Sequence, residues 1–217
     1  DNDYLAKDIT ITAYELDNLG VWGQRHTAHT VNIALTDCDG KDLGKANVQR
    51  VYLSGETGPI NITLTDCDFL TAATAVYSNA DGAITLDGCT FTGSQAPVNL
   101  NHKADGAQTV TVKDCTLTNC GDDGAWKSFA APIRFVNSGS GTMTTHVTGT
   151  SITGTKGQNG DILLGDGRTG KASGDVTLSV IAKSDDTEGL HVQAQRPGYY
   201  DDKGNTDSAH MAETTVT

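Results

Sequence analysis

The sequence predicts an all-β fold, and three features of its 217 residues lead to that prediction. Apolar and polar residues alternate over short segments, as expected for strands with one buried face. The 25 glycines and many of the Asp and Asn residues fall between these segments, where the chain must turn. Helix-type periodicity is almost absent. The length suits one large domain, and we predict a single domain over residues 1–217.

One short motif recurs along the chain and sets its organisation. It has alternating apolar residues, a small turn residue, a cysteine, one polar residue and a large apolar residue. The clear copies lie at 31–38, 60–69, 83–91 and 110–117, with weaker ones at 9–16 and 146–152. The gaps between equivalent cysteines are 29 residues (38 to 67), 22 (67 to 89) and 26 (89 to 115). Fixed strands with gaps of variable length indicate stacked coils joined by variable loops.

The first two strands of each coil are predicted to meet at a sharp bend. The residue before each cysteine tolerates the left-handed backbone conformation, and the set is Asp37, Asp66, Gly88 and Asp114. The apolar residues three before and two after each cysteine should face inward, among them Leu35, Leu64, Leu86, Val112, Phe69, Phe91 and Leu117. Aligned cysteines on adjacent parallel strands are poorly placed for disulfides, so we predict buried free thiols for Cys38, Cys67, Cys89 and Cys115.

A third strand is predicted in every coil. These segments are 19–23, 51–53, 75–78, 97–100, 132–136, 161–164 and 189–193. Their inward residues should be Val21, Val51, Val76, Val98, Ile133, Ile162 and Leu190. Three short strands per coil over about seven coils predict a parallel β-helix.

The repeat and its cysteine motif resemble the right-handed parallel β-helix superfamily, the pectate-lyase-like fold. The resemblance covers nearly all of the chain and implies a right-handed solenoid. It points to no particular family within the superfamily. It also implies that a carbohydrate chain, if one is bound, lies along one face of the stack.

One outward-facing column of the third strands is the candidate ligand-binding site. Alignment of these strands places seven residues in it, namely Trp22, Tyr52, Tyr77, Asn99, Arg134, Leu163 and His191. Aromatic faces stack on sugar rings, and amide or guanidinium groups bind hydroxyl and carboxylate groups. The alternative is that the aromatic residues only stack on one another across the strands.

Catalytic residues are harder to assign from the sequence. The motif at 121–124 (GDDG) is similar to the paired aspartates of polygalacturonases, which share the fold, and makes Asp122 and Asp123 candidates. The N-T-D, H-G and R-I-K motifs of those enzymes are missing, and Asp-Asp beside Gly is common in turns. An enzyme would use Asp122 and Asp123 with Arg134, His191 and His102. A calcium-dependent lyase would add Asp161, Asp166 and Arg168, but the sequence predicts no metal or other cofactor.

Charge and chain ends bear on partners and location. The formal charge of −12 comes without a cluster of Lys or Arg, so nucleic acid and anionic membranes are not expected partners. No apolar run reaches the roughly 18 residues of a membrane span.

We expect a piece of a longer, bacterial-type protein that is secreted or held at the cell surface. Three hypotheses follow: an adhesin-like module that binds a poly- or oligosaccharide or a host ligand, a polysaccharide lyase or glycoside hydrolase, and a structural spacer.

Overall fold

The structure is a computed structural model that describes residues 8–24, 29–40, 50–55, 58–70, 73–93, 95–121, 130–156, 160–165, 176–181, 190–194 and 214–216. The regular structure of these residues consists of 20 β-strands in three sheets, and every strand pairing is parallel. The predicted all-β class is therefore confirmed. Within the same residues there is no helix with the length and apolar character needed to cross a membrane.

The largest sheet, sheet A, has eight strands that follow one another in chain order. They are β1 (Ile9–Tyr14), β3 (Val31–Thr36), β6 (Ile60–Thr65), β9 (Gly82–Asp87), β12 (Ala107–Lys113), β15 (Thr142–Thr148), β18 (Val176–Ile181) and β20 (Thr214–Val216).

Sheets B and C are built in the same order. The seven strands of sheet B are β2 (Val21–Gln24), β5 (Val51–Ser54), β8 (Val76–Ser78), β11 (Val98–His102), β14 (Ile133–Asn137), β17 (Ile162–Leu164) and β19 (Val192–Ala194). The five strands of sheet C are β4 (Asp39–Gly40), β7 (Asp68–Leu70), β10 (Thr90–Thr92), β13 (Thr116–Thr118) and β16 (Ser151–Thr153).

The chain visits the sheets in a fixed succession. From β3 to β17 it passes through sheets A, C and B in turn, and we call each passage a rung. A strand pairs only with the equivalent strands of the rungs before and after it. Backbone hydrogen bonds therefore run from rung to rung, and equivalent side chains form columns along the stack.

The inward columns make the core. In sheet A, Leu35, Leu64, Leu86 and Val112 are successive partners, and each is almost fully buried. In sheet C, the partners Phe69 and Phe91 stack with ring centroids 5.9 Å apart. These residues are the ones that the motif placed inward, so the predicted register of the first two strands is confirmed.

The bends between sheets A and C are as predicted. Asp37, Asp66, Gly88 and Asp114 have φ values of 50°, 51°, 67° and 51°, in the left-handed region. All five cysteines are buried and free, which confirms the thiol prediction. Cys120, which lies outside the repeat, belongs to a second bend, where it follows Asn119 at φ 53°.

One position of sheet C departs from the column. Gly40 is the partner of Phe69, and a Cβ atom at Gly40 would lie 2.8 Å from the Phe69 ring and 2.9 Å from Cδ and Nε of Arg50. The Arg50 side chain therefore fills the space that Phe69 and Phe91 fill in later rungs. Arg50 is only 4% exposed, and its Nε and Nη2 have no hydrogen-bond partner among the described residues.

Candidate functional site

The outer face of sheet B carries the predicted column in the predicted order, except at its end. Trp22 pairs with Tyr52, Tyr52 with Tyr77, and Tyr77 with Asn99. Asn99 then pairs with Arg134, and Arg134 with Leu163. Six of the seven residues therefore lie in one line across the strands β2, β5, β8, β11, β14 and β17.

Three aromatic side chains form the accessible part of this column. The rings of Tyr52 and Tyr77 are 4.5 Å apart with an interplanar angle of 12°, and those of Trp22 and Tyr52 are 6.5 Å apart at 20°. Trp22 is 63% exposed and the two tyrosines are half-buried. We call Trp22, Tyr52 and Tyr77 the aromatic ladder.

The geometry of the ladder decides which ring surfaces a ligand can reach. Because the three rings are nearly parallel, the two faces of Tyr52 point at Trp22 and Tyr77, and a ligand could reach only the edge of the Tyr52 ring. Trp22 lies on β2, the last strand of sheet B in the described residues, and no ring of the ladder covers its second face. Within the ladder, the indole of Trp22 is therefore the ring with one face left unstacked, and it is also the most exposed of the three.

The polar half of the column is covered. Asn99 and Arg134 are 4% and 3% exposed, and Arg134 Nη1 donates a hydrogen bond of 2.7 Å to Asn99 Oδ1. Leu163 is fully buried and packs with Ala131. These residues face outward from sheet B, as predicted, yet a ligand could not reach them in this conformation.

His191 does not lie in the column, and its predicted alignment is wrong. The partner of Leu163 is Gln193, because β19 pairs with β17 through Val192 and Ile162 and not through Leu190. His191 lies two residues earlier and is 82% exposed, with its Nδ1 atom 3.6 Å from Asp161 Oδ2. Its backbone carbonyl accepts hydrogen bonds from Asp161 N and Ile162 N.

The remaining catalytic candidates do not form a group in the described part of the chain. Asp122 and Asp123 lie outside the described residues. Arg134 is enclosed beside Asn99. Its strand, β14, is separated by β17 from β19, the strand that His191 precedes. His102 is fully buried, and both of its ring nitrogens have protein partners.

The lyase alternative gains no support from the side chains that are described. Asp161 is 5% exposed, accepts a 2.8 Å hydrogen bond from His191 N and a second one from Thr155 Oγ1, and thus ties two segments together. Asp166 and Arg168 lie outside the described residues, as does the loop at 195–213. Across the described ranges, no three His, Cys, Asp or Glu side chains are grouped as metal ligands.

A buried polar network was missed in the sequence. It joins Asp81, His102 and Asn137, which are 21 and 35 residues apart in the chain. Of these residues the sequence indicates only His102 as a candidate, because no local motif marks Asp81 or Asn137. Their proximity follows from the stacking of three successive rungs, which a motif search does not reveal.

Comparisons with known proteins give no relative whose function could be compared with this site. No protein-family model matches the sequence, and no similar protein was found among the curated proteins or the solved structures.

Proposed function

We propose that this protein is a right-handed parallel β-helix of about seven three-strand coils that acts as a carbohydrate-recognition module. It is secreted or held at the cell surface, and it does not cleave its ligand. The observation that carries the proposal is the exposed indole of Trp22 at the end of the aromatic ladder.

The fold part of the proposal rests on the succession of the three sheets. Parallel strands that recur in the order A, C and B are the arrangement that a chain winding in one direction around a common core would produce, and one core cluster joins residues of all three sheets. A right-handed winding is favoured because crossovers between parallel strands are almost always right-handed. A crystal structure would test the hand and the number of coils, and a left-handed winding would contradict this part.

The binding chemistry is stacking of a sugar ring. The apolar C–H face of a pyranose packs against the indole face of Trp22, and the neighbouring Tyr52 phenol exchanges hydrogen bonds with the hydroxyl groups of the sugar. The ladder is narrow and has one open face, so it suits a terminal sugar unit. The absence of Arg134 from the accessible surface favours a neutral sugar over a carboxylated one.

Recognition is favoured over catalysis by the placement of the candidate residues. General acid–base cleavage needs two groups that face the same bond from hydrogen-bonding distance. Arg134 and His102 are enclosed, and His191 is displaced from the column. The described candidates therefore do not share a surface on which a sugar chain could lie.

The spacer alternative is favoured by a separate observation. Tyr52 and Tyr77 stack at 4.5 Å, and a cross-strand aromatic pair of this kind adds roughly 0.5–1.5 kcal/mol to stability without any ligand. If this is their whole role, replacing Trp22 changes no binding property of the protein.

A glycan array decides between these functions. Wild-type protein and the Trp22→Ala variant are compared, with Ile181→Ala as the control because Ile181 is 61% exposed on sheet A, away from the ladder. We expect Trp22→Ala to weaken binding about tenfold, the equivalent of ~1.4 kcal/mol, and Ile181→Ala to leave it unchanged. Circular dichroism verifies that both variants are folded.

Three results would overturn the proposal. Equal binding by wild type and Trp22→Ala would exclude the ladder, and no binding to any glycan would favour the spacer. Cleavage products from a bound glycan would show that the protein is an enzyme.

A further inference from the structure

A fully buried histidine lies at the corner where sheet B leads into sheet A. His102 ends β11, and its side chain points inward beside that of its strand partner Asn137. His102 Nδ1 is 3.1 Å from Asn137 Oδ1, and His102 Nε2 is 2.7 Å from Asp81 Oδ1. The three residues come from three successive rungs, so the imidazole links the corners of the rungs on either side of it.

The orientation of the Asn137 amide is fixed by two other hydrogen bonds. Asn137 Nδ2 donates to Gly141 O at 2.8 Å, and Asn137 Oδ1 accepts from Gly139 N at 3.2 Å. If the Asn137 amide were flipped, its NH₂ group would face the N–H group of Gly139 and its oxygen would face Gly141 O, and both hydrogen bonds would be lost. The atom that faces His102 Nδ1 is therefore an acceptor, and His102 Nδ1 must carry a proton.

The second ring nitrogen faces a carboxylate oxygen, which completes the proton count. If Asp81 is ionised, His102 Nε2 must also carry a proton. If His102 Nε2 is bare, the proton must be on Asp81. In both cases the pair holds one proton more than a neutral imidazole beside a carboxylate. We propose that Asp81 and His102 share one bound proton in the native protein, and that this proton locks the corner.

Few other groups near the His102 ring could donate the hydrogen bonds that this proton supplies. Gln108 also lies within the corner, but its Nε2 donates to Ala80 O. Asp105 accepts a hydrogen bond from Ser140, and Lys103 is exposed. A Cβ atom on Gly141 would lie 2.8 Å from His102 Cε1, so the ring is closely packed on that side.

Loss of the proton should loosen the corner. Without it, two lone pairs face each other, either between His102 Nε2 and Asp81 or between His102 Nδ1 and Asn137, and the hydrogen bond there is lost. The His102 ring is fully buried and cannot turn to water for a new partner, whereas the Asp81 side chain is 32% exposed. The unfolded chain has no such requirement, because a free histidine loses its proton near pH 6.5. Folding therefore takes up one proton above that pH, and stability should decrease as pH rises.

NMR of the ¹⁵N-histidine-labelled protein at pH 8 tests the proton count. We expect His102 Nδ1 to carry a slowly exchanging proton. A bare His102 Nδ1 would overturn the proposal.

Denaturant unfolding from pH 6.5 to pH 7.5 tests the locking role, because in this range the unfolded histidine loses its proton while the unfolded thiols, which ionise near pH 8.5, stay mostly protonated. The unfolding constant of the wild type should rise up to about tenfold per pH unit, because one proton is released on unfolding. Asp81→Asn supplies an amide donor to His102 Nε2 and should flatten this dependence. The control is Asp87→Asn, which alters the exposed Asp87–Lys113 ion pair and should keep the wild-type slope. Equal slopes for wild type and Asp81→Asn would contradict the proposal.

Discussion

Four of the bends between sheets A and C place a thiol against backbone carbonyl groups, namely those of Cys38, Cys67, Cys89 and Cys115. Cys89 Sγ lies 3.5 Å from Leu64 O and 3.6 Å from Asp87 O, and Cys115 Sγ makes the equivalent contacts to Leu86 O and Lys113 O. In the following rung Thr150 takes this position, with Oγ1 3.4 Å from Val112 O and from Thr148 O. The position therefore selects a small side chain with one weak donor, and sulfur chemistry is not required.

The thiols should be unreactive in the folded protein. The pKa of Cys67 is raised and that of Cys89 is raised to about 12, mainly through a hydrogen bond with the next cysteine in the column, and burial acts in the same direction. The pKa of Cys115 is lowered, mainly through its hydrogen bond with Cys89, but Cys115 is only 1% exposed and a reagent does not reach it in the folded protein. At pH 8 we expect a thiol reagent to modify all five cysteines in denaturant and none before unfolding. Mass spectrometry measures the outcome, and rapid labelling of native Cys89 would contradict it.

The same pKa direction predicts a loss of stability at high pH. In the unfolded chain the thiols ionise near pH 8.5, whereas native Cys89 keeps its proton up to about pH 12. The stabilising contribution of the neutral thiol is complete below pH 8.5 and decreases as pH rises toward 12. Replacing Cys89 by Ser, on the precedent of Thr150, should remove part of this alkaline decrease, as measured by thermal unfolding at pH 8 and pH 10.

At the scale of the strand, the two-residue period determines which side chains enter the core. The motif strands were predicted correctly because a turn residue and a cysteine fix their register at one end. β19 has no such marker, and Leu190 and Val192 are both apolar and two residues apart, so alternation alone fits both registers. The error at His191 follows from that ambiguity.

A charge in the sheet A column should unfold the protein. Leu86 is fully buried between Leu64 and Val112, so Leu86→Asp would enclose a carboxylate without a partner at a cost of several kcal/mol. Leu64→Asp should behave alike. The matched control is Thr85→Asp, since Thr85 precedes Leu86 on β9 and is half-exposed on the outer face. Circular dichroism with thermal unfolding compares them, and a folded Leu86→Asp protein would show that the register is wrong.

Gly40 and Arg50 should be coupled in their effects on stability. Gly40→Leu alone would collide with the Arg50 side chain, and Arg50→Ala alone would leave a cavity beside Phe69. The double variant restores an apolar side chain to the sheet C column and removes a buried guanidinium. We expect a coupling of roughly 1–3 kcal/mol in a double-mutant cycle by denaturant unfolding, and additive effects would contradict the packing.

At the scale of the whole molecule, the sequence predicts the order of the residues in the outer column of sheet B, but it does not predict which of these residues are exposed. The one-rung spacing of Trp22, Tyr52, Tyr77, Asn99 and Arg134 can be derived from aligned strands alone. The burial of Arg134 and Leu163 cannot, because it depends on how chain segments outside the repeat, such as Ala131, pack on the outer face of sheet B. The predicted ligand surface is accordingly reduced to the aromatic ladder.

The pairing of each strand with its two neighbours in the stack has a mechanical consequence. Because the hydrogen bonds between strands run from rung to rung, a force that separates the two ends of the stack loads the rung interfaces in series, and the weakest one breaks first. Each interface consists of a few parallel hydrogen bonds and of the contacts between the core side chains of two adjacent rungs. Its rupture leaves the next interface intact. Under tension the protein should lengthen in steps, releasing about 22 to 29 residues (the spacing between cysteines) at each one.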